Sequence, residues 1–194
     1  MYFLKKMFTF FSLAILTSLS MAQANTGIEK AIQGRWLSEI TQEIPGDEEL
    51  INGVFKIIAV EEYLGNGAAN MQGQMLMTFN YKDGSQITAS WLVSATSEWQ
   101  IKNGFLYEKI VDVRAIPDFV KRNGSLLSAD EQKGFFQESG FKIDDYILKG
   151  QTSEDEIILI NETSLSYKTK NDQGTHDVRS KSRTSAGFTL YRIK

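Results

Sequence analysis

The sequence predicts an all-β protein in which an antiparallel meander of short strands closes into a barrel. Three observations support this fold class: apolar and polar residues alternate with a period of two, Asn103-Gly104 joins two such runs, and turn residues divide the chain at short intervals. Alternation of this kind is typical of strands with one buried and one solvated face. A long meander avoids exposed edge strands most completely by closing on itself, which favours a barrel.

A secretory signal peptide is predicted ahead of this barrel. Lys5 and Lys6 are followed by an apolar run over residues 7–19, and Ala22-Gln23-Ala24 provides the small residues that signal peptidase recognises. The run is shorter than the ~20 apolar residues that a membrane-spanning helix needs. We therefore predict a cleaved leader at residues 1–24 and a single mature domain at residues 25–194 with no integral membrane segment. The expected location is the periplasm or the outside of a bacterial cell.

Composition and charge exclude several classes of function. The chain has no cysteine, so it has no disulfide, no thiol nucleophile and no thiolate metal site. Its formal net charge is −3, and the predicted leader contains two lysines and no acidic residue, so cleavage leaves a more acidic protein. An acidic surface without a basic patch is repelled by nucleic acids and by anionic membranes. We expect no nucleic-acid partner.

The first two strands follow the leader closely. Residues 34–40 are predicted to form a strand that ends before the turn at Pro45-Gly46-Asp47. Residues 50–60 are predicted to form a second strand, and their apolar residues fall on both faces. Burial on both faces is typical of a strand that neighbouring elements enclose.

The third and fourth strands form the clearest predicted hairpin. Odd-numbered positions from Met71 to Tyr81 are apolar or glycine, and most of their even-numbered neighbours are polar. After a turn at Lys82-Asp83-Gly84-Ser85 the same parity continues over residues 87–95. Two alternating runs joined by turn residues predict a hairpin with one buried and one solvated face.

A second hairpin is predicted around Asn103-Gly104. Both residues accept the positive φ of a type I′ turn, and the flanking runs alternate. This turn pairs Ile101 with Leu106. The alternation is lost at residues 110–113, where we expect a β-bulge or a strand covered on both faces.

A short helical insertion is predicted near residues 115–140. Pro117–Lys121 is interpreted as one helical turn. Ser128 and Glu131 have the spacing of a capping box at the start of a helix, and Phe135-Phe136 gives that helix an apolar face. Further strands are expected at residues 141–149, 156–160, 163–170, 175–181 and 187–193.

Two motifs resemble those of lipocalins and the wider calycin group. Gly34-Arg35-Trp36 resembles the Gly-x-Trp signature of their first strand, and Arg192 is placed where these proteins often have an arginine stacked on that tryptophan. Residues 99–107 are similar to a hairpin of bacterial lipocalin-like proteins, with Ser97 at the position of a glycine. The resemblance implies an exported lipocalin-like (calycin) barrel in which Trp36 and Arg192 have a structural role. The insertion near residues 115–140 and the surplus of strands depart from the family's simple barrel.

A barrel of this type suits the binding of a small apolar or amphipathic ligand without catalysis. An eight-stranded barrel is just wide enough to be filled by its own side chains or to hold one small ligand. Small residues and adaptable methionines on the inward face favour a cavity; the alternative is that the same residues only fill a core. Phe135-Phe136 is interpreted either as a lid or as a structural cap. The predicted lining residues are Met75, Met77, Phe79, Ala89, Trp91 and Val93.

No constellation of residues indicates catalysis, a metal site or a cofactor. The single histidine, His176, is followed by Asp177, and neighbours on a strand point to opposite faces, so this pair does not form a catalytic triad. The acidic runs Glu61-Glu62 and Glu154-Asp155-Glu156 are interpreted as solvated turns without the spacing of an EF-hand loop. We predict that the protein is not an enzyme.

Two other classes of function stay open. The second hypothesis is a periplasmic protein-interaction module, such as an inhibitor or an immunity protein against an envelope-targeted toxin, because an acidic surface speeds the capture of a basic partner. The third is a factor for envelope assembly or stress. An interior cavity of roughly a few hundred Å³ favours ligand binding, whereas a filled interior with an exposed aromatic or acidic patch favours a protein partner.

Overall fold

The computed structural model describes residues 25–138, 149–170 and 174–187. The predicted leader lies outside these ranges, and the strands predicted at residues 141–149 and 187–193 lie almost entirely outside them. Helix α1 covers residues 25–32 and helix α2 is Ala129–Glu138. The strands are β1 (Gly34–Pro45), β2 (Leu50–Tyr63), β3 (Ala68–Tyr81), β4 (Gln86–Lys102), β5 (Phe105–Arg122), β6 (Ser125–Leu126), β7 (Thr152–Ile160), β8 (Ser164–Lys170) and β9 (His176–Arg183).

Eight of these strands close into an antiparallel barrel. β1 to β5 pair in sequence order, β5 then pairs with β7, and β7, β8 and β9 lead back to β1. The two-residue β6 stands outside this ring and pairs with the end of β5. Every neighbouring pair in the ring is antiparallel, which confirms the predicted fold class.

The barrel is taller on one side than on the other. Strands β2 to β5 contain 14 to 18 residues, whereas β7, β8 and β9 contain 9, 7 and 8. β9 pairs with β1 only at Trp36–Ser38, and β7 pairs with β5 only at Phe105–Lys109. The described strands therefore complete the ring at one end, and beyond it β1 to β5 continue as a curved wall.

Buried side chains form two apolar clusters inside this structure. Helix α2 packs Phe135 and Phe136 against the cluster on the curved wall, and thus covers the part of that wall that the short strands β7 to β9 leave open. The lower cluster, within the closed ring, consists of Ile32, Trp36, Tyr63, Ala69, Trp99, Ile101, Leu106, Leu165 and Tyr167. The upper cluster, on the curved wall, consists of Met75, Met77, Ile87, Ala89, Trp91, Val93, Val113 and Val120.

Both predicted hairpins are present in the predicted register. In the β3–β4 hairpin Met75 lies opposite Trp91, so the two alternating runs share one inward face. In the β4–β5 hairpin Ile101 lies opposite Leu106. Asn103-Gly104 forms the turn with φ values of 54° and 81°, as a type I′ turn requires. The local signals in these two segments were therefore sufficient to fix their pairing.

The predicted helical turn at Pro117–Lys121 is wrong, because β5 continues through this segment to Arg122. The ladder with β4 shifts register between Ser90 and Trp91, next to the proline. Proline has no N–H to donate to a ladder and is tolerated in a strand at such an irregularity. The bulge expected at residues 110–113 is present, since the ladder with β4 also skips Val111.

Helix α2 begins with the predicted capping box. The backbone N–H of Ser128 donates to Glu131 Oε2 at 2.9 Å, and the N–H of Glu131 donates to Ser128 Oγ at 3.4 Å. These bonds satisfy donors that have no partner within the helix. The helical part of the insertion is Ala129–Glu138, which is shorter than the predicted range of 115–140.

The tryptophan of the Gly-x-Trp motif is stacked on an arginine, and this arginine is Arg183 at the end of β9. Its guanidinium carbon lies 4.0 Å from the ring centroid of Trp36. Its terminal nitrogens donate to the carbonyl oxygens of Gln33 at 2.5 Å and Ala31 at 2.7 Å. Arg192, to which the sequence analysis assigns this role, lies outside the described residues. Arg183 therefore joins the last described strand to β1 and to the end of α1.

Arg183→Ala is expected to lower the free energy of unfolding by about 2 kcal/mol, because it removes a cation–π contact and two charge-assisted hydrogen bonds. Denaturant unfolding measures the change. The matched control is Arg114→Ala, whose side chain is 77% exposed and which should change stability by less than about 0.5 kcal/mol. Equal effects of the two substitutions would contradict the role of Arg183.

Gly73 and Gly134 give a matched pair of glycine substitutions. A Cβ at Gly73 would lie 2.6 Å from the Cβ of Ala59 and against the carbonyl oxygen of Ile58, whereas a Cβ at Gly134 on α2 meets nothing within 4 Å. Gly73→Ala is expected to destabilise the fold by about 1–3 kcal/mol through overpacking. Gly134→Ala is expected to stabilise it by about 0.5–1 kcal/mol through helix propensity. Thermal unfolding of both variants tests this; a tolerated Gly73→Ala contradicts the close approach of β2 and β3.

Candidate functional site

The six residues predicted to line a ligand site share the inward face of the β3–β4 hairpin. Five are buried within the upper cluster, and Phe79 packs against that cluster with part of its ring exposed. Helix α2 already covers this face, since the rings of Phe136 and Trp91 meet edge to face at 5.5 Å. A ligand that reaches these side chains must therefore displace or pass the phenylalanines of α2. The six residues are Met75, Met77, Phe79, Ala89, Trp91 and Val93.

A second group of side chains, none of which was predicted to belong to a site, forms a polar cluster inside the closed ring. Strands β2, β5, β7, β8 and β9 all contribute to it, because each directs one or two ionisable side chains inward. The other buried side chains that pack in the closed ring are mainly apolar or aromatic. The buried polar cluster consists of Glu61, Tyr63, Glu108, Asp155, Tyr167 and Lys181.

Lys181 is at the centre of the buried polar cluster. Only 3% of its side chain is exposed, and its ammonium donates to Glu61 Oε2 at 2.5 Å and to the Tyr63 hydroxyl at 2.8 Å. The ammonium also lies 5.1 Å and 5.3 Å from the ring centroids of Tyr63 and Tyr167. Burial opposes the charge, but Glu61 and the surrounding oxygens outweigh it and raise the pKa of Lys181 well above its ordinary value. Lys181 is thus held as a cation.

Tyr63 connects Lys181 to a second carboxylate. Its hydroxyl is 3.2 Å from Glu61 Oε2 and 3.2 Å from Glu108 Oε2, and its one proton can be donated to only one of them at a time. Burial, and then the charge of Glu108, raise the pKa of the Tyr63 phenol well above its ordinary value. Burial also raises the pKa of Glu108, and although Lys181 opposes this rise, the nearby Glu61 adds to it.

Asp155 is the least satisfied member of the buried polar cluster. It is 5% exposed, and Ser153 donates to its Oδ2 at 3.3 Å. Its Oδ1 is buried and has no hydrogen-bond partner within the described part of the chain. Asp155 lies opposite Leu106 in the β5–β7 ladder, and Leu106 is two residues before Glu108 on β5. The charge of Asp155 is therefore near Glu108 and also raises its pKa.

The buried polar cluster has more acceptors than donors. It brings three carboxylates to one ammonium, and the two tyrosine hydroxyls do not change this balance of charge. Within the described residues no three side chains of the metal-ligating types are placed to hold one metal ion. Glu61 is in contact with solvent, since its side chain is 16% exposed. The arrangement can therefore accept hydrogen bonds or positive charge from a small group that enters the ring.

Two predictions about acidic residues are wrong. Glu61 and Asp155 were assigned to solvated turns, but both are in strands, β2 and β7, with their side chains directed into the barrel. The sequence contained a signal for Glu61. It lies two residues from both Ala59 and Tyr63, so the three share one face of β2, and Ala59 and Tyr63 are buried. No comparable signal marked Asp155, since the residues next to it on β7 are acidic and exposed.

A shallow depression of about 460 Å³ lies on the outer side of β3, β4 and β5. Six of its eight lining residues have polar or charged side chains, and Arg114 Nε lies 3.3 Å from Asp112 Oδ2 there. None of the six predicted lining residues contributes to it. The lining residues are Asn70, Met71, Gln72, Ser94, Ala95, Thr96, Asp112 and Arg114.

No model of a known protein family matches this chain, and no curated protein matches it in sequence. The eight-stranded antiparallel barrel with a helix is compatible with a lipocalin-like barrel. In the part of the chain that the structure describes, no helix has the length and apolar character needed to cross a membrane.

Lys181→Met is expected to lower the free energy of unfolding at pH 7.5 by about 3–5 kcal/mol, because it leaves buried carboxylates without their cation. Lys181 opposes the rise in the pKa of Glu108, so without it this pKa should lie still further above its unfolded-state value. The penalty is then largest at high pH and shrinks as the carboxyls protonate, so the deficit against the parent protein should narrow between pH 7.5 and pH 5.

Denaturant unfolding at both pH values measures this deficit. Lys168→Met on β8 is the matched control, because Lys168 is exposed and pairs with Glu156 only at 3.4 Å. It should cost at most about 1 kcal/mol at either pH. A Lys181→Met deficit that does not depend on pH would contradict the electrostatic role assigned to Lys181.

Proposed function

We propose that this protein is an exported lipocalin-like barrel that binds one small amphipathic ligand in its interior and performs no chemistry on it. Export is supported by the leader at residues 1–24, with its two lysines, apolar run and Ala22-Gln23-Ala24 site. The lipocalin-like assignment is supported by the eight-stranded barrel and by Trp36 of the Gly-x-Trp motif, which is stacked under Arg183.

The observation that carries the proposal is the position of the buried polar cluster below an apolar wall. The cluster lies in the closed ring, and Met71 of β3 lies opposite Glu61, at the start of the wall that Met75 and Met77 continue. A ligand with a polar head and an apolar tail matches this arrangement, with its head in the buried polar cluster and its tail along β3. Apolar pockets with a few convergent polar groups are the usual form of small-molecule sites.

Binding without catalysis is supported by the protonation states inside the cluster. Lys181 has a raised pKa and stays an ammonium, and Tyr63 has a raised pKa and stays a neutral phenol. A nucleophilic lysine or tyrosine needs a lowered pKa, which is the opposite shift. Both side chains therefore stay protonated and paired with the carboxylates of the cluster, which does not suit a nucleophile.

A protein-interaction module is the second candidate, and one observation on the outer surface favours it. Val111 and Ile116 of β5 are 39% and 62% exposed. They lie on either side of Arg114 and the outer depression. Exposed apolar side chains around a charged group are common in protein interfaces. The two candidates use opposite faces of β5, so variants on each face separate them.

Native mass spectrometry of the full chain, expressed with its leader and recovered from the periplasm, tests the first candidate. We expect a reproducible non-covalent adduct that organic extraction recovers as an amphipathic small molecule. Ala89→Trp is expected to abolish the adduct, because it fills the interior at the upper cluster. Gln100→Trp on the same strand is the matched control, since Gln100 is exposed.

Nile red fluorescence provides a second measurement should Ala89→Trp fail to fold. The parent protein should bind the dye in its interior, and Met77→Phe, a milder filling substitution, should weaken binding several-fold without a large change in the unfolding temperature. A clean protein mass together with no dye binding would overturn the carrier proposal and leave the protein partner as the better hypothesis.

A further inference from the structure

We propose that the polar head of this ligand is a cation, namely a protonated amine, and that Asp155 and Glu108 receive it. The inference rests on the proposed function, since it names the chemistry of the guest for the same interior site. It depends on two observations on the buried polar cluster, namely its balance of charge and its unsatisfied acceptor.

The balance of charge favours a cationic guest. Glu61 already forms a short ion pair with Lys181, so the one ammonium of the cluster is paired with a carboxylate of β2. Glu108 and Asp155, on the neighbouring strands β5 and β7, have no cation of their own at hydrogen-bond distance in the described structure. A second ammonium would leave one carboxylate of the cluster without a cation in place of two, which lowers the cost of burying these charges.

The hydrogen-bonding inventory favours an ammonium over other cationic or neutral heads. Asp155 Oδ1 is buried and has no partner among the described residues, and Glu108 shares the single Tyr63 proton with Glu61. A primary ammonium offers three N–H donors and no acceptor, whereas a hydroxyl offers one donor and a carboxylate none. A carboxylate head would add a fourth negative charge to the cluster.

The neutral alternative is that Glu108 keeps a proton and satisfies the cluster without a guest. Burial and the charges of Glu61 and Asp155 push in this direction, against Lys181 and the Tyr63 hydroxyl. In that case a neutral alcohol would bind as well as an amine of equal length. The preference between the two probes therefore decides between the alternatives.

Isothermal titration calorimetry of the mature protein at pH 7 with octylamine, 1-octanol and octanoate makes this comparison. The three probes have unbranched alkyl tails of nearly equal length, and they differ mainly in the charge and the hydrogen-bonding groups of the head. We expect octylamine to bind at least about tenfold more tightly than 1-octanol, as a charge-assisted hydrogen bond allows, and octanoate to bind most weakly.

Asp155→Asn assigns the preference to a residue, because it removes the charge and keeps the shape. It should bring the affinity of octylamine to within about threefold of that of 1-octanol and leave 1-octanol binding unchanged. Asp112→Asn, on the outer face, is the matched control and should keep the full preference. A melting curve for each variant shows that the fold is intact.

The outcomes separate the inference from the proposed function. Equal binding of octylamine and 1-octanol, or tightest binding of octanoate, overturns the cationic head and leaves an amphipathic ligand in place. A preference for octylamine that Asp155→Asn does not change overturns the role of Asp155. Failure of all three probes to bind overturns the cationic head together with the interior ligand site.

Discussion

The buried ammonium of Lys181 is the constraint on which the closure of this barrel depends. A charge in a low-dielectric interior is tolerated only when an opposite charge and hydrogen bonds meet it. Lys181 lies opposite Ser38 on β1, and Glu61 lies opposite Trp36 on the other side of the same strand. A slip of β9 by one residue would turn Lys181 outward and leave Glu61 alone, so the ion pair specifies one register for the closing strand.

The unequal height of the strands explains why the chain needs α2. Only the lower part of the barrel has eight strands around it, and there the lower cluster packs around Trp36 and Leu165. Above the ring, β1 to β5 carry an apolar face for which the short strands β7 to β9 supply no cover among the described residues. Phe135 and Phe136 bury this face, and the capping box at Ser128 fixes where the helix begins.

The parts of this fold that could be predicted from the sequence are those that local patterns determine. Period-two alternation and Asn103-Gly104 set two hairpins in their correct registers, since the paired strands are consecutive in the chain and are joined by short turns. Closure of the barrel depends on a contact between residues that are far apart in the chain. Local patterns did not distinguish Arg192 from Arg183, which is the arginine that stacks on Trp36. Glu61 and Asp155 were predicted to lie in solvated turns because charged residues are usually exposed to solvent. Which face of a strand is buried depends, however, on how the whole barrel closes.

The surplus of carboxylates is hard to explain by folding alone. One carboxylate neutralises Lys181, and Glu61 fills that role at 2.5 Å. Glu108 and Asp155 add desolvation and mutual repulsion, and an apolar pair of similar volume at these positions would be expected to stabilise the ring. Side chains that cost stability in a buried place are typical of sites that act on something other than the fold. The interior of the lower ring is therefore the part of this molecule where function is best sought.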